Sequence, residues 1–472
     1  MVKHSVRRTL FTLGTGVLVQ RALQLVAFVV VGRTLGTAGL GVYAQGLAVA
    51  ALLAVLAGAG VRNLVARAIS QRPGAARRLI TDAVHLRLLI GLMLATAAAL
   101  VAFTNSTRPW FWLLCALHVV PAAFDLKNVA DAAGRTRAEV WFESGAAALQ
   151  LAAVATWAYV GGNELTVLAG ISLGCRGIYA ALAVVAIRAL PDDGEPVRLP
   201  IGLTATGLGQ TAHELLASAD VALVAWLGGP AAAGYYAVAL RFASAAMLPA
   251  TQLARLLLPH LLHAPRRGDS QRTFTTALGA TAWLTLPICA GGQFVASSLC
   301  ALSGADFAAG GAVLRLLLLA GMCQQLGWQC SHALLASGRD RAYAHGLGWP
   351  ALLQFLLLLA LPLAGDRDAA TLALLAAAAA ALAQGVYLTS GLCTTSAARP
   401  LGGILRAPLL AALATAGAAA LPATWLPAPA QLPAHLLLGA AGFAVALWWL
   451  ELRGRIHRVG DGLATASGFD PY

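Results

Sequence analysis

Residues 210–255 have the sequence QTAHELLASADVALVAWLGGPAAAGYYAVALRFASAAMLPATQLAR. Two apolar stretches flank a short turn at 228–234, which is rich in glycine and contains one proline. This pattern predicts two antiparallel transmembrane helices joined by a tight turn. The stretch also contains several charged and amide side chains, and it therefore predicts a polar seam inside the membrane.

The polar residues of this stretch fall on matching faces of the two predicted helices. Arg241, Gln252 and Arg255 lie within about 60° of one another at 100° per residue. Folding the helices back about the turn places Asp220 at the depth of Arg241. Gln210 then lies at the depth of Gln252. An Arg or Asp near the bilayer centre costs roughly 2.5 to 3.5 kcal/mol, so these residues mark a site, an aqueous pathway or an ion pair that pins two helices.

The composition is typical of a helical membrane protein. Of the 472 residues, 59% are hydrophobic and 11% are charged, and the mean hydropathy is +0.76. These values exclude the soluble globular classes. Apolar runs long enough to cross a bilayer recur about fourteen times. The sequence therefore predicts an all-α polytopic membrane protein.

The net charge of +13 follows membrane topology. Clusters of arginine and lysine occupy every second connection between the apolar runs, and the intervening connections contain few of them. By the positive-inside rule, both termini are cytoplasmic. The pattern predicts a multi-pass membrane protein, with membrane lipids and no nucleic acid as partners.

Cysteine and histidine give no sign of a metal centre or a disulfide framework. The seven cysteines lack paired spacings, and the ten histidines are scattered. The connections are also short, which leaves no room for a separate catalytic domain. We therefore expect no metal, no cofactor and no enzymatic activity, and we expect function to reside within the helix bundle.

An internal repeat is visible in the turns. The segment LGTAGLGVYA at 35–44 matches LGGPAAAGYYA at 227–237, with one residue inserted. Aligning Gly41 with Gly234 gives an offset of 193 residues, which contains an even number of predicted helices. An even number predicts a parallel repeat, with equivalent positions at equal depth in the membrane.

The repeat pairs two opposite charges near the middle of the membrane. Applying the offset, Arg21 in the first predicted helix corresponds to Glu214 in the seventh. Gln24 adds an amide group to the first of these helices. Transporter sites lie near the bilayer midplane at the interface of such repeats. We therefore predict that Arg21 and Glu214 line a shared cavity and interact across it.

Two further arginines receive other interpretations. Arg176 falls inside a predicted helix, where buried polar side chains more often bond between helices than line a cavity. Arg87 lies near the end of a predicted helix, where its side chain can reach the membrane surface. Neither is counted among the predicted site residues.

The turn motif Leu-Gly-x-x-x-x-Gly-x-Tyr-Ala is followed by a glycine-rich helix that ends in Arg62. Together with Asp220, the second turn, Arg241 and the segment LLASGR at 334–339, it resembles the polysaccharide biosynthesis or oligosaccharide flippase (Wzx-type) branch of the MOP exporter superfamily. The resemblance extends to about residue 387 and implies two six-helix lobes, 1–195 and 196–392, around a central cavity. Two extra C-terminal helices at 393–458 follow, and the polar tail 459–472 is predicted to be a disordered cytoplasmic segment.

The resemblance implies that the protein translocates undecaprenyl-diphosphate-linked oligosaccharide, an O-antigen or exopolysaccharide unit, to the periplasmic leaflet by alternating access. Arginine offers a fork of donors that matches phosphate oxygens, so Arg21, Arg241 and Arg255 are candidates for the diphosphate. Glu214 and Asp220 would orient those arginines or couple export to a proton or sodium gradient. The remaining predicted cavity residues are Gln24, Gln210 and Gln252. A glycan polymerase and a chain-length regulator are the implied protein partners.

Three alternatives remain open. A lipid II flippase would use the same diphosphate chemistry. A cation-coupled multidrug exporter of the same superfamily is expected to have an acid in the first helix, where this chain has Arg21. A membrane glycan polymerase or ligase needs acid or base residues at a water-exposed face, and the outer loops here contain few.

Overall fold

The structure is a computed structural model that describes residues 2–58, 61, 65, 68–69, 73–125, 136–190, 192, 205–254, 270–365, 367–395, 401–420 and 428–452. Thirteen α-helices are delimited within these ranges, and none of the described residues forms a β-strand. Nine helices of the described chain are long and apolar enough to cross a membrane. The predicted all-α polytopic membrane fold is confirmed, and the number of about fourteen crossings stays a prediction.

The helices are numbered here in chain order. The first seven are α1 (Val2–Gly58), α2 (Ala76–Asn105), α3 (Pro109–Leu117), α4 (Val119–Ala123), α5 (Thr136–Tyr159), α6 (Leu165–Arg188) and α7 (Ala205–Ala246). The next six are α8 (Ser270–Ala301), α9 (Gly311–Ala336), α10 (Asp340–Leu359), α11 (Ala369–Thr394), α12 (Leu401–Ala419) and α13 (Ala428–Leu452). Short 3-10 turns precede α2 and α9 and follow α10, at Pro73–Ala75, Ala305–Gly310 and Leu361–Ala364.

The helices α1 and α7 are each bent at one glycine into two arms. Gly36 has φ 67° and ψ −175°, and Gly229 has φ 84° and ψ 168°. Both residues have the positive φ that glycine adopts without a steric penalty. They are separated by 193 residues (229 minus 36), which is the offset predicted from the turn motifs. The two bends therefore occupy equivalent positions of the repeat.

The chain divides into two compact units, Met1–Gly234 and Tyr235–Tyr472. The first unit contains α1 to α6 and α7 up to Gly234. The second contains α7 from Tyr235 onward and α8 to α13. The lobe boundary predicted at residue 195 and the tail 459–472 lie outside the described residues, and both stay predictions.

Buried hydroxyl and amide groups join the helices of the first unit. The hydroxyl of Tyr43 on α1 lies 2.6 Å from that of Ser172 on α6. The amide of Gln150 on α5 donates to the same Ser172 oxygen at 3.2 Å. Such bonds satisfy polar groups that have no access to water inside a bilayer. They fix α1, α5 and α6 relative to one another.

The second unit uses similar contacts around α9. The hydroxyl of Ser331 lies 2.6 Å from that of Tyr387 on α11, and the Gln329 amide donates to Thr281 Oγ1 on α8 at 2.9 Å. The helix α11 begins at an N-cap, where the Asp368 carboxylate accepts bonds from the backbone and hydroxyl groups of the third residue that follows. These donors hold the pKa of the Asp368 carboxyl below its usual value.

Arg87 of α2 is buried, and it binds the carboxyl end of α4. Its guanidinium donates to the backbone oxygens of Ala122 at 2.7 Å, Ala123 at 2.9 Å and Asp125 at 3.2 Å. These oxygens lie at the end of a short helix, where carbonyl groups have no partner within the helix. The structure therefore corrects the interpretation of Arg87 as a side chain that reaches the membrane surface, since it joins α2 to α4 from a buried position.

We expect Arg87→Ala to destabilise the folded protein by about 1 to 3 kcal/mol, because buried carbonyl oxygens would lose their donors. The stability of Arg87→Lys should fall between those of Arg87→Ala and the unsubstituted protein, because an ammonium lacks the guanidinium fork. Thermal unfolding of the purified protein in detergent measures the effect. The control is Arg77→Ala, which removes an exposed arginine from the first turn of the same helix. Equal unfolding temperatures for Arg87→Ala and the unsubstituted protein would contradict this role.

Candidate substrate-binding site

The predicted site residue Arg21 lies on the first arm of α1, 15 residues before the bend at Gly36. At 1.5 Å per residue, this places it about 22 Å along the helix from the bend. Its Nη1 donates to the Oε1 of Gln24 at 3.1 Å. The side chain is exposed although the helix is apolar. The amide of Gln24 thus orients a guanidinium that has further N–H donors.

Arg21 shares its stripe of α1 with Phe28 and Gly32, which are both buried and nearer the bend. Val19 and Val26, which are 53% and 48% exposed, lie about 140° to 160° away around the helix, whereas Leu18, which is 46% exposed, lies about 60° away. A charge that faces hydrocarbon is costly, so the exposed guanidinium requires water or an anion beside it. The stripe that contains Arg21 is therefore exposed at the guanidinium and buried toward the bend.

Glu214, which is half-buried, occupies the equivalent position on the first arm of α7. It lies 15 residues before the bend at Gly229, and it accepts a hydrogen bond from the Gln210 amide at 3.0 Å. Val221 and Ala225, on its stripe and nearer the bend, are buried at 8% and 6% exposure. Each of the two repeat-equivalent charges thus has an amide partner on its own helix. Their predicted interaction across a cavity stays a prediction.

The sequence pattern predicts that Arg176 bonds between helices, but the structure gives it a different position. It lies at the middle of α6 and is exposed, 11 residues after Leu165. Ser172 and Ala183, within about 40° of it on the helix, are buried. The lipid-facing side, marked by the exposed Ile178, is about 160° away. Arg176 therefore lies on the buried side of α6 with its own side chain exposed, and we count it among the candidate site residues.

The other predicted site residues lie around the remainder of α7. Asp220 is 5% exposed, and its Oδ1 accepts the backbone N–H of Val221 at 2.6 Å. Arg241, on the second arm, is exposed, and Gln252 is half-buried in the helical segment 248–254. Arg255 lies outside the described residues. The predicted match in depth between Asp220 and Arg241 stays a prediction.

The two exposed arginines and the two half-buried amides suit an anionic ligand with polar substituents. Arg21 and Arg176 offer planar donor sets that match phosphate oxygens. The amides of Gln24 and Gln210 can donate to and accept from hydroxyl groups. Among the described residues, no group of three or more His, Cys, Asp and Glu side chains could hold a metal ion. The site is therefore suited to binding and orienting a charged, hydroxyl-rich ligand.

Comparison with known proteins gives one family match, in the first part of the chain. The family model described as "Polysaccharide biosynthesis protein" matches residues 6–124, about a quarter of the chain, which includes Arg21 and the first turn motif. No curated protein gave a significant match.

The fold is similar to several solved transporters. A lipid II flippase, MurJ, in an inward closed conformation has a TM-score of 0.73 at 13% identity, covering 93% of this chain and 99% of its own. An inward-facing multidrug resistance MATE family transporter has a TM-score of 0.63 at 14% identity, covering 80% and 95%. A MOP superfamily transporter from Pyrococcus furiosus has a TM-score of 0.60 at 14% identity, covering 83% and 96%.

These likenesses show that the chain shares its fold with solved transporters, and the family match comes from the segment that contains the first site arginine. The predicted resemblance is confirmed as a resemblance, since the chain is similar both to the polysaccharide biosynthesis family model and to solved proteins of the MOP superfamily.

Proposed function

We propose that the protein is a flippase that moves an undecaprenyl-diphosphate-linked oligosaccharide from the cytoplasmic to the periplasmic leaflet by alternating access. The observation that carries the proposal is the exposed guanidinium of Arg21, held by Gln24 on an apolar helix. A cation on a membrane-spanning helix must be compensated by water or by an anion. The diphosphate of a lipid-linked glycan is an anion that enters the membrane with its own lipid tail.

Each part of this substrate has a matching group in the chain. Arg21 and Arg176 would bind the diphosphate through forked hydrogen bonds, which are stronger where water is scarce. Gln24 and Gln210 would bind sugar hydroxyls. The polyprenyl tail would stay in the surrounding lipid, so the site need not enclose it.

Glu214 gives the site a second function. It lies at the repeat-equivalent position of Arg21 and is held by Gln210 at 3.0 Å. A carboxylate there can attract Arg21 when no diphosphate is bound, and it can bind a proton or sodium ion when the diphosphate occupies the arginines. Coupling to a proton or sodium gradient would then follow from the exchange of Glu214 between these partners.

We further propose that both termini are cytoplasmic in the bacterial inner membrane, as the arrangement of arginine clusters predicts. The bends at Gly36 and Gly229 then lie at the periplasmic face. The translocated glycan would pass to a polymerase and a chain-length regulator, which act on the same lipid-linked unit. O-antigen and exopolysaccharide units share the diphosphate linkage, so this site suits either.

A deletion strain tests the proposed substrate. Lipid-linked oligosaccharide should accumulate in the cytoplasmic leaflet of the deletion strain, and surface glycan should be lost until the gene is restored. The control is the same strain complemented with Arg21→Ala, which should leave the accumulation in place. Normal surface glycan in the deletion strain, with impaired cell-wall synthesis or increased drug sensitivity instead, would favour lipid II or drug transport over this proposal.

A further inference from the structure

The two repeat-equivalent turns lie against each other within the first unit. The first comprises residues 37–41, directly after the bend at Gly36, and the second comprises residues 230–234, directly after the bend at Gly229. The built Cβ positions at Gly41 and Gly234 both point into the opposite turn. The contact is therefore made at the point where each bent helix begins its second arm.

The contact is nearly symmetric. A Cβ on Gly41 would overlap the backbone oxygen of Pro230 and would lie 2.6 Å from its carbonyl carbon. A Cβ on Gly234 would overlap the backbone oxygen of Thr37 and would lie 2.9 Å from its carbonyl carbon. The 193-residue offset converts Gly41 into Gly234 and Thr37 into Pro230. The same contact is thus made twice, once in each direction, as a pseudo-two-fold axis between the turns requires.

Both positions exclude every side chain, because the opposing atoms belong to the backbone. Gly46, further along α1, faces side chains that can move: a Cβ there would lie 2.6 Å from Phe111 Cζ and 2.7 Å from Cys115 Sγ. The neighbouring Leu40 and Ala233 are fully buried. The two turns therefore form a dry seal of backbone against backbone.

We propose that this contact is the outer gate of the transporter, closed in this structure and opened when substrate leaves. The proposal rests on the proposed function and its topology, which put the bends at the periplasmic face. A backbone contact without interlocking side chains can separate and re-form without rotamer changes on either surface. Phe28 and Gly32, between Arg21 and the bend on the same stripe of α1, are buried, as a site sealed from the outside requires.

The gate predicts how Gly41→Ala and Gly234→Ala behave. A methyl group at either position is incompatible with the closed contact and harmless once the turns separate. Each substitution should therefore raise the ratio of open to closed protein at least roughly tenfold, because the added methyl group destabilises only the closed form. The open form keeps the rest of the fold, so both variants should be folded and present in the membrane.

Cysteine labelling measures this shift without any transport assay. Ala233→Cys, introduced beside the contact, should react slowly with a membrane-impermeant maleimide added outside intact cells, because the residue is fully buried. Adding Gly41→Ala should raise the labelling rate at least roughly tenfold. Gly46→Ala is the matched control, since it crowds a packed glycine on the same helix away from the turns. It should leave the rate within about twofold of the Ala233→Cys parent.

An unchanged labelling rate in folded Gly41→Ala and Gly234→Ala proteins would overturn the gate. Loss of both variants from the membrane would overturn it too, because a contact needed in every state is static packing. The labelling rate does not depend on which substrate the protein transports. If the substrate assignment is wrong, the difference in labelling should still be observed. If the gate assignment is wrong, the unsubstituted protein should still transport the glycan.

Discussion

Arg21→Ala should reduce transport of lipid-linked oligosaccharide by about ten- to a hundredfold, while the protein stays folded and abundant. A hydrogen-bonded contact to a charged group is worth roughly 1.5 to 3 kcal/mol, and each 1.4 kcal/mol corresponds to a factor of ten. Arg21→Lys should recover only part of this loss, because an ammonium keeps the charge but lacks the guanidinium fork. Surface glycan, normalised to the protein in the membrane, is the measurement.

The matched control is Arg108→Ala, which removes an exposed arginine from the short connection between α2 and α3. It should leave glycan export unchanged. A structural role for Arg21 makes a different prediction, since abundance and unfolding temperature would then fall together with export. Full rescue by lysine would mean that a point charge suffices, and it would contradict bidentate binding.

Arg176→Leu should reduce transport by roughly tenfold or more, for the same loss of a charge-assisted contact. The same substitution should raise the free energy of unfolding or leave it nearly unchanged, because leucine removes a charge from the middle of an apolar helix. This separation of activity from stability is the signature of a binding residue. Arg188→Leu, at the end of the same helix and also exposed, is the control and should retain transport.

If Arg176 instead satisfied a neighbouring helix, Arg176→Leu would lower the unfolding temperature and reduce export only in proportion to the protein lost. The double variant Arg21→Ala with Arg176→Leu adds a second test. Two arginines that bind one diphosphate should give a combined loss that differs from the product of the single losses. A combined loss equal to that product would indicate separate sites.

The repeat is readable from sequence because the turns require glycine for backbone reasons. Gly36 and Gly229 both adopt positive φ, and the sequence motif that surrounds each of them is enough to define the 193-residue offset. The offset in turn makes Arg21 and Glu214 equivalent positions, and the structure gives both an amide partner on the same helix. The repeat offset and the spacing of residues along one helix are enough to predict that Arg21 and Glu214 are equivalent and that each has an amide nearby.

Tertiary contacts explain what the sequence does not reveal. The role of Arg87 depends on the end of α4 approaching α2, and no spacing within α2 indicates that a carbonyl cluster lies opposite. Arg176 sits at the centre of an apolar run, where the sequence favours bonding between helices, and only the burial of Ser172 and Ala183 shows which side of α6 it occupies. The sequence also pairs Gly41 with Gly234 as equivalents without showing that their turns touch.

The central claim is tested most directly by reconstituting the purified protein in vesicles that contain a fluorescent undecaprenyl-diphosphate-linked oligosaccharide in the inner leaflet. A lectin or glycosidase added outside detects molecules that have crossed. We predict rapid crossing with the unsubstituted protein, a loss of about ten- to a hundredfold with Arg21→Ala, and little crossing of the matched monophosphate lipid. Equal rates with and without protein, or equal rates for the diphosphate and monophosphate lipids, would contradict the claim that this chain captures its substrate through the diphosphate.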